Sequence, residues 1–134
     1  MEITKFAVDE KMATRGQRVY PFDDVCWFDL MYANCDKADA RRMDLTKRFR
    51  AALQAGGDMA ASAAKEITCK VLADIIILGW NDEAITLKGE PFPYNKENAY
   101  ILVKSSDMIR DRISEESSNL NTYRVSEDEE AQEN

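Results

Sequence analysis

The segment that most constrains the fold is MAASAAKEITCKVLADIIILGW, residues 59–80. Its apolar side chains recur at helical spacing, and Leu72, Ile76 and Ile77 widen the apolar stripe around much of the circumference. A helix with so little polar surface is buried, so we predict a central helix on which the other elements pack. The longest apolar run, VLADIIILGW, falls well short of the roughly 20 residues that a membrane-spanning helix needs.

An antiparallel β element is predicted ahead of this helix. In VCWFDLMYA, residues 25–33, aromatic and β-branched side chains alternate with period two, which is typical of a half-buried strand. The face expected to be buried carries Cys26, Phe28, Leu30 and Tyr32. Weaker alternation in residues 1–8 predicts another strand, with a turn at Gly16 between them.

Composition and capping residues predict about four helices. Asp36, Asp58 and Asn95 are candidate N-caps, as is Ser105 or Ser106, and Gly56-Gly57 ends the first helix. The predicted spans are 37–55, 59–80, 96–104 and 107–124. The predicted fold class is therefore α+β, with a small N-terminal antiparallel β element followed by a mostly α-helical bundle.

The chain is predicted to form a single domain over residues 1–124. Residues 1–35 are its β element and residues 36–124 its helical part. The last segment, VSEDEEAQEN at 125–134, carries five acids in ten residues and one valine. That segment has too little apolar surface to fold alone, so we predict a disordered acidic tail.

Two charge features need an explanation within any such fold. Asp74 lies inside the apolar run and would be costly to bury alone, so we expect it to pair with Lys70, four residues earlier. The alternative is that its carboxylate faces a partner. The segment RRMDLTKRFR, residues 41–50, carries five basic residues and one Asp. A solvated helix face is the default interpretation of that cluster, and an anion or acidic-partner site is the alternative.

A stiff connector follows the central helix. Pro91 and Pro93 each fix one backbone torsion and favour an extended conformation for the residues before them. Gly89 and Asn95 bound this segment, and Asn95 can cap the helix that follows. We predict a rigid elbow that sets the angle between two helices. Exposed aromatic residues beside it would be natural anchors for a partner.

Composition excludes several classes of function. The chain has no histidine, and its three cysteines form no CxxC pair, so no catalytic triad, metal site or cofactor site is expected. QAGGDMA lacks the Lys-Ser/Thr of a phosphate-binding loop. A net charge of −7 disfavours nucleic acid and anionic membranes as partners. We expect a non-enzymatic binding or assembly protein.

The connector resembles the tail assembly chaperones of long-tailed, siphovirus-type bacteriophages. An apolar segment ends in Trp, a short loop follows, and Gly-x-Pro-x-Pro-Tyr then leads to a helix opening with Glu-Asn-Ala. The matching residues are Trp80, Gly89, Pro91, Pro93, Tyr94, Glu97, Asn98 and Ala99. The likeness extends over residues 65–123, and the N-terminal part is similar in outline.

This resemblance implies a chaperone that coats the tape measure protein and helps recruit tail tube subunits. It also implies action in the host cell cytoplasm, absence from the mature virion, and a longer frameshifted form of the chain as a partner. Homo-oligomerisation stays open. The expected partner-binding residues are Trp80, Phe92, Tyr94, Pro91 and Pro93. The alternative for the three aromatic side chains is that they pack onto the central helix. The expected elbow residues are Gly89, Asn95 and Asn98.

Two other functions stay open at this point. One is a phage-encoded acidic inhibitor, or decoy, that occupies a basic site on a host protein. Its acidic residues should then be spread over a folded face, whereas many of them lie in residues 125–134. The other is a minor structural component of the virion, which its presence in purified particles would reveal.

Overall fold

The computed structural model describes residues 1–124, and within them it has seven α-helices, a three-stranded sheet and a two-stranded hairpin. The strands are β1 Gln17–Val19, β2 Phe28–Leu30, β3 Ile77–Trp80, β4 Thr86–Leu87 and β5 Glu90–Pro91. The helices are α1 Glu10–Arg15, α2 Asp36–Arg48, α3 Arg50–Ala55, α4 Gly57–Val71, α5 Lys96–Ser105, α6 Asp107–Ser117 and α7 Leu120–Tyr123. The predicted α+β class is confirmed. The predicted disordered tail lies outside the described residues.

The main sheet is antiparallel, with β2 between β1 and β3. Phe28 and Leu30 of β2 are buried, as the alternation predicts, although the strand is shorter than residues 25–33. The pairing of β2 with β3 shifts between Asp29 and Leu30, and Leu78 is the extra residue on β3. Such a bulge bends the strand and raises its twist.

The predicted central helix is wrong at its C-terminal end. Helix α4 stops at Val71, a wider π-helical turn spans Leu72–Ile76, and the chain then extends as β3. An apolar run of β-branched residues suits a buried strand as well as a buried helix. The free edge of β2 offers backbone hydrogen-bond partners to this run, which favours the strand over the helix. The sheet therefore includes residues 77–80 and extends beyond the predicted β element at residues 1–35.

The first 16 residues also differ from the prediction. Residues 1–8 form no strand; Ile3–Phe6 is a 3₁₀ turn, and only Val8 makes a β-bridge, to Arg124. The Asp9 side chain accepts hydrogen bonds from the backbone N–H of Lys11 (2.9 Å) and Met12 (3.2 Å) and so caps α1. Gly16, at φ +85°, ends that helix, a conformation that glycine adopts without strain.

The predicted helix at 37–55 is divided in two at Phe49, and Gly56 ends it with φ +73°. Two predicted caps are wrong by one or two residues, since the caps of α2 and α4 are Cys35 and Gly56 instead of Asp36 and Asp58. Neither makes a side-chain capping bond. The caps of the later helices are confirmed: Asn95 caps α5 and Ser106 caps α6.

One core joins the sheet to the helices. Leu45, Ile76, Val103 and Ile113 are fully buried in it, together with Phe28 and Leu30. Helix α7 is held to the sheet because the Tyr123 hydroxyl donates to the Leu30 carbonyl over 2.8 Å. Burial raises the pKa of Tyr123 above its ordinary value, so this donor keeps its proton.

Asp74 finds a different partner from the one predicted. Its carboxylate lies on the π-helical turn and accepts from Arg41 of α2 at 2.8 Å, whereas Lys70 lies 3.9 Å from Glu66. The ion pair thus joins two elements instead of adjacent turns of one helix. Within residues 1–124, no helix has the length and apolar character needed to cross a membrane.

Candidate functional site

The connector between β3 and α5 contains a hairpin that the sequence did not predict, and the second strand of that hairpin, Glu90–Pro91, is extended as predicted. Thr86 pairs with Pro91 and Leu87 with Glu90, so the hairpin turn consists of Lys88 and Gly89. Both have positive φ, 52° and 81°, as a two-residue turn of type I′ requires. Gly89 supplies this conformation at low cost, and the chain leaves the turn toward Pro93.

An aromatic cluster fixes the connector to the sheet. The rings of Trp80 and Phe92 stack with centroids 5.9 Å apart, and Tyr94 meets Trp80 edge-on at 5.2 Å. The indole N–H of Trp80 donates to the Phe92 carbonyl at 2.9 Å, and the Tyr94 hydroxyl donates to the Ile77 carbonyl at 2.9 Å. Burial raises the pKa of Tyr94, which keeps that hydroxyl protonated.

This arrangement corrects the expected exposure of two site residues. Trp80 is 3% exposed and Phe92 is 8% exposed, so neither presents a ring to a partner. Tyr94 is half-buried, and Pro91 and Pro93 are exposed. Trp80 and Phe92 therefore act inside the protein, where they hold the connector in one orientation.

Asparagine side chains fix the bend into α5. The side-chain oxygen (Oδ1) of Asn95 accepts a hydrogen bond from the backbone N–H of Asn98 at 2.7 Å. The Asn98 amide donates in turn to the Pro93 carbonyl at 2.8 Å, and Asp82 accepts from the Tyr94 backbone at 2.8 Å. Asn95 and Asn98, two of the three elbow residues predicted from the sequence, are thus hydrogen-bonded to each other, whereas Gly89 lies apart from them in the hairpin turn.

The loop between β1 and β2 adjoins the connector and carries apolar side chains that the sequence analysis did not select. Tyr20 is 50% exposed and Val25 is 68% exposed; with Phe22 they form what we call the loop surface. Asn81 joins this loop to the connector, because its side chain accepts from Trp27 N–H at 3.0 Å and donates to the Val25 carbonyl at 2.9 Å.

Aromatic contacts connect the loop surface to the buried cluster. Phe22 meets Phe28 at 5.9 Å, and Phe28 meets Trp80 at 5.8 Å. The sequence signal that could have identified the loop is YPF, residues 20–22, which has the proline-aromatic composition of the connector's PFPY. A rigid loop with exposed rings can contact a partner without first being ordered.

Hydrogen bonds also hold the loop itself. Asp23 accepts from the backbone N–H of Cys26 and of Val25, and these bonds lower the pKa of Asp23. Arg18 forms an ion pair with Asp29 at 2.9 Å, and its guanidinium lies 3.6 Å from the centre of the Trp27 ring. Arg18 of β1 therefore joins β1 to β2 by an ion pair, and to the end of the loop by a cation–π contact.

The basic cluster at 41–50 is largely neutralised inside the chain. Arg41 contacts both Asp74 and Asp44, and Arg48 contacts Asp44. Within the described residues only Lys47 and Arg50 of that cluster form no ion pair, which favours the solvated-face interpretation over an anion site.

Within residues 1–124, the cysteines form no disulfide and the cysteines and carboxylates form no cluster of metal ligands. Cys26, Cys35 and Cys69 are buried and form no disulfide. Burial raises the pKa of Cys26 and of Cys69, so these thiols stay protonated and are poor nucleophiles. In the same region no three His, Cys, Asp or Glu side chains lie together as metal ligands.

Comparison with known proteins matches most of the chain to a protein family. A family model described as YdaY prophage protein matches residues 34–134, well over half of the chain. No curated protein and no solved structure matches it. The matched span contains the connector and every helix from α2 onward, and the loop surface precedes it.

Proposed function

This chain belongs to the YdaY prophage protein family, and from that premise we propose that it is a non-enzymatic chaperone of phage tail assembly. It binds the tape measure protein and helps recruit tail tube subunits around it. It acts in the host cytoplasm and leaves the assembly before the virion is complete. The phage origin comes from the family, and the choice of partner comes from the resemblance of the connector to tail assembly chaperones.

The observation that carries the proposal is the loop surface beside the connector. Tyr20, Phe22 and Val25 are exposed on a loop that Asn81 and Asp23 hold in place. Exposed aromatic and aliphatic side chains on a fixed scaffold are typical of sites that bind an apolar segment of a partner. An unassembled, helical partner would offer such a segment.

The charge of the chain supports the same proposal. A chaperone has to keep a complex with an apolar partner in solution, and a net charge of −7 favours solubility. Pro91 and Pro93 extend the exposed surface along the connector, and they remain the expected partner contacts of that segment. Trp80 and Phe92 contribute indirectly, by fixing the orientation of the connector.

The test is co-expression with the tape measure protein of the same prophage, followed by pull-down and size-exclusion chromatography. We expect the tape measure protein to become soluble and to co-elute. The double change Tyr20→Ala/Val25→Ala should weaken binding about tenfold or more, as for residues at the centre of an interface. The matched control, Ile101→Ala/Met108→Ala, removes two exposed apolar side chains elsewhere and should bind normally.

Two results would overturn the proposal. The first is a tape measure protein that stays insoluble, with nothing co-eluting. The second is recovery of this chain from purified particles by mass spectrometry, which would make it a virion component. If both double changes weaken binding equally, the chaperone activity stands but the loop surface is not the contact site.

A further inference from the structure

The hairpin formed by α3 and α4 has an exposed apolar surface that the proposed function does not use. None of the six residues of α3 is buried, and among residues 57–64 at the start of α4 only Ala63 is buried. A helix this short draws most of its stability from packing against other elements. Here α3 packs mainly on α4, and its outer side is left uncovered.

The same hairpin is depleted in charge. Residues 51–64, AALQAGGDMAASAA, contain one charged residue, Asp58, in a chain in which 32% of the residues are charged. Between the helices lies an open groove of about 390 Å³, lined by Phe49, Ala52, Met59 and Ala63 among others. An exposed surface without charge is the composition expected at the centre of a protein interface.

We propose that this hairpin is a dimer interface, at which a second copy of the chain packs antiparallel about a two-fold axis. Arg50 lies at the base of the hairpin, in the first turn of α3, and Asp58 lies at its tip, in the first turn of α4. Both are exposed and form no ion pair within residues 1–124. In the antiparallel arrangement Arg50 faces Asp58 of the partner subunit, and symmetry makes this contact twice.

The charges around the groove favour a second copy over a basic partner helix. A basic helix would need carboxylates along the groove, and two are present, Asp58 and Glu66. Glu66 already accepts hydrogen bonds from Tyr100 at 2.6 Å and from Lys104 at 2.7 Å. Of these two carboxylates, Asp58 is therefore the one left to pair with a basic helix. Two acidic chains also repel each other least where each has the fewest charges, which is at this hairpin.

Charge reversal tests the proposal directly. Sedimentation equilibrium of the chain alone, at concentrations up to about 1 mM, the weak end of specific association, should give a mass of twice 15.3 kDa. Arg50→Asp and Asp58→Arg should each raise the dimer Kd about tenfold, because both symmetric contacts become repulsive. An equimolar mixture of the two variants should form a heterodimer with restored affinity, since every contact is again between opposite charges.

A pair of methionines gives a matched control for the apolar part of the interface. Met59, in the groove, and Met43, on α2, are both 62% exposed. Met59→Asp should abolish the dimer and Met43→Asp should leave it intact, with unchanged circular dichroism for both. A monomer at every concentration, or a dimer that neither charge reversal nor Met59→Asp weakens, would overturn the proposal. These measurements use no tape measure protein, so their outcome is separate from that of the proposed function.

Discussion

The Trp80 hydrogen bond gives the sharpest test of how the connector is held. Trp80→Phe keeps a ring in the cluster but removes the indole N–H, which leaves the buried Phe92 carbonyl without its donor at 2.9 Å. The unpaired carbonyl costs about 1–3 kcal/mol, and the smaller ring loses roughly two methylenes' worth of burial, so the total is about 3 kcal/mol. That is a large share of a typical unfolding free energy of about 5–15 kcal/mol.

The matched control is Trp27→Phe. Trp27 is half-buried, its indole N–H donates to no group within residues 1–124, and phenylalanine keeps a ring face for Arg18. We expect it to cost less than about 1 kcal/mol. Urea unfolding should give equal m-values for the two variants and different midpoints.

The same difference should appear on heating. At about 2.1 cal/mol/K per residue, a 134-residue chain that loses about 3 kcal/mol should lose roughly 10 °C in Tm. A Trp80→Phe variant as stable as Trp27→Phe would refute the argument that the hydrogen bond to Phe92 holds the connector.

Three further predictions concern local features. Asn95→Ala removes the cap of α5 and should cost about 1 kcal/mol in urea unfolding, while Asn95→Asp should cost little. Gly89→Ala, at φ +81°, should cost about 1–2 kcal/mol, and Gly79→Ala, which has equal space around its Cβ and no positive φ, should cost less. Burial would raise the pKa of Glu66, but hydrogen bonds, chiefly from Lys104, outweigh burial and lower it. Glu66→Gln should therefore destabilise by about 1 kcal/mol at neutral pH, a difference that is complete above the ordinary glutamate pKa of about 4.3 and is lost as pH falls through the lower folded-state pKa.

Each of these has an outcome that would contradict it. Equal stability of Asn95→Ala and Asn95→Asp would mean that the cap contributes nothing to α5. Equal losses in the two glycine variants would remove the role of the left-handed turn. A stability difference for Glu66→Gln that does not change between neutral pH and acid would show that the pKa of Glu66 is not lowered in the folded state.

Features set by neighbouring residues could be predicted from the sequence. The stop at Gly56, the caps at Asn95 and Ser106, and the buried face of β2 depend on a few adjacent side chains, and all are present. The connector was also identified from its prolines. Its hairpin was missed because the turn depends on Lys88 adopting positive φ, which that residue type seldom does.

The exposure of the site residues could not be predicted in this way. Trp80 and Phe92 are buried because each covers the other, and Tyr94 reaches back to Ile77 across 17 residues. The loop surface is a site candidate only because Asn81 brings residues 20–25 beside the connector. A sequence pattern marks such residues as apolar or aromatic, but it does not say which of them face one another.

The sequence by itself determined the α+β class, the presence of a buried central segment, the helix stop at Gly56 and the caps at Asn95 and Ser106, because these follow from periodicity and capping within a few residues. Tertiary structure decided that residues 77–80 form a strand, because β2 offers them backbone partners about 50 residues away in sequence. It also paired Asp74 with Arg41 instead of Lys70. In both cases local preference left two options of similar free energy, and contacts between distant segments decided the outcome.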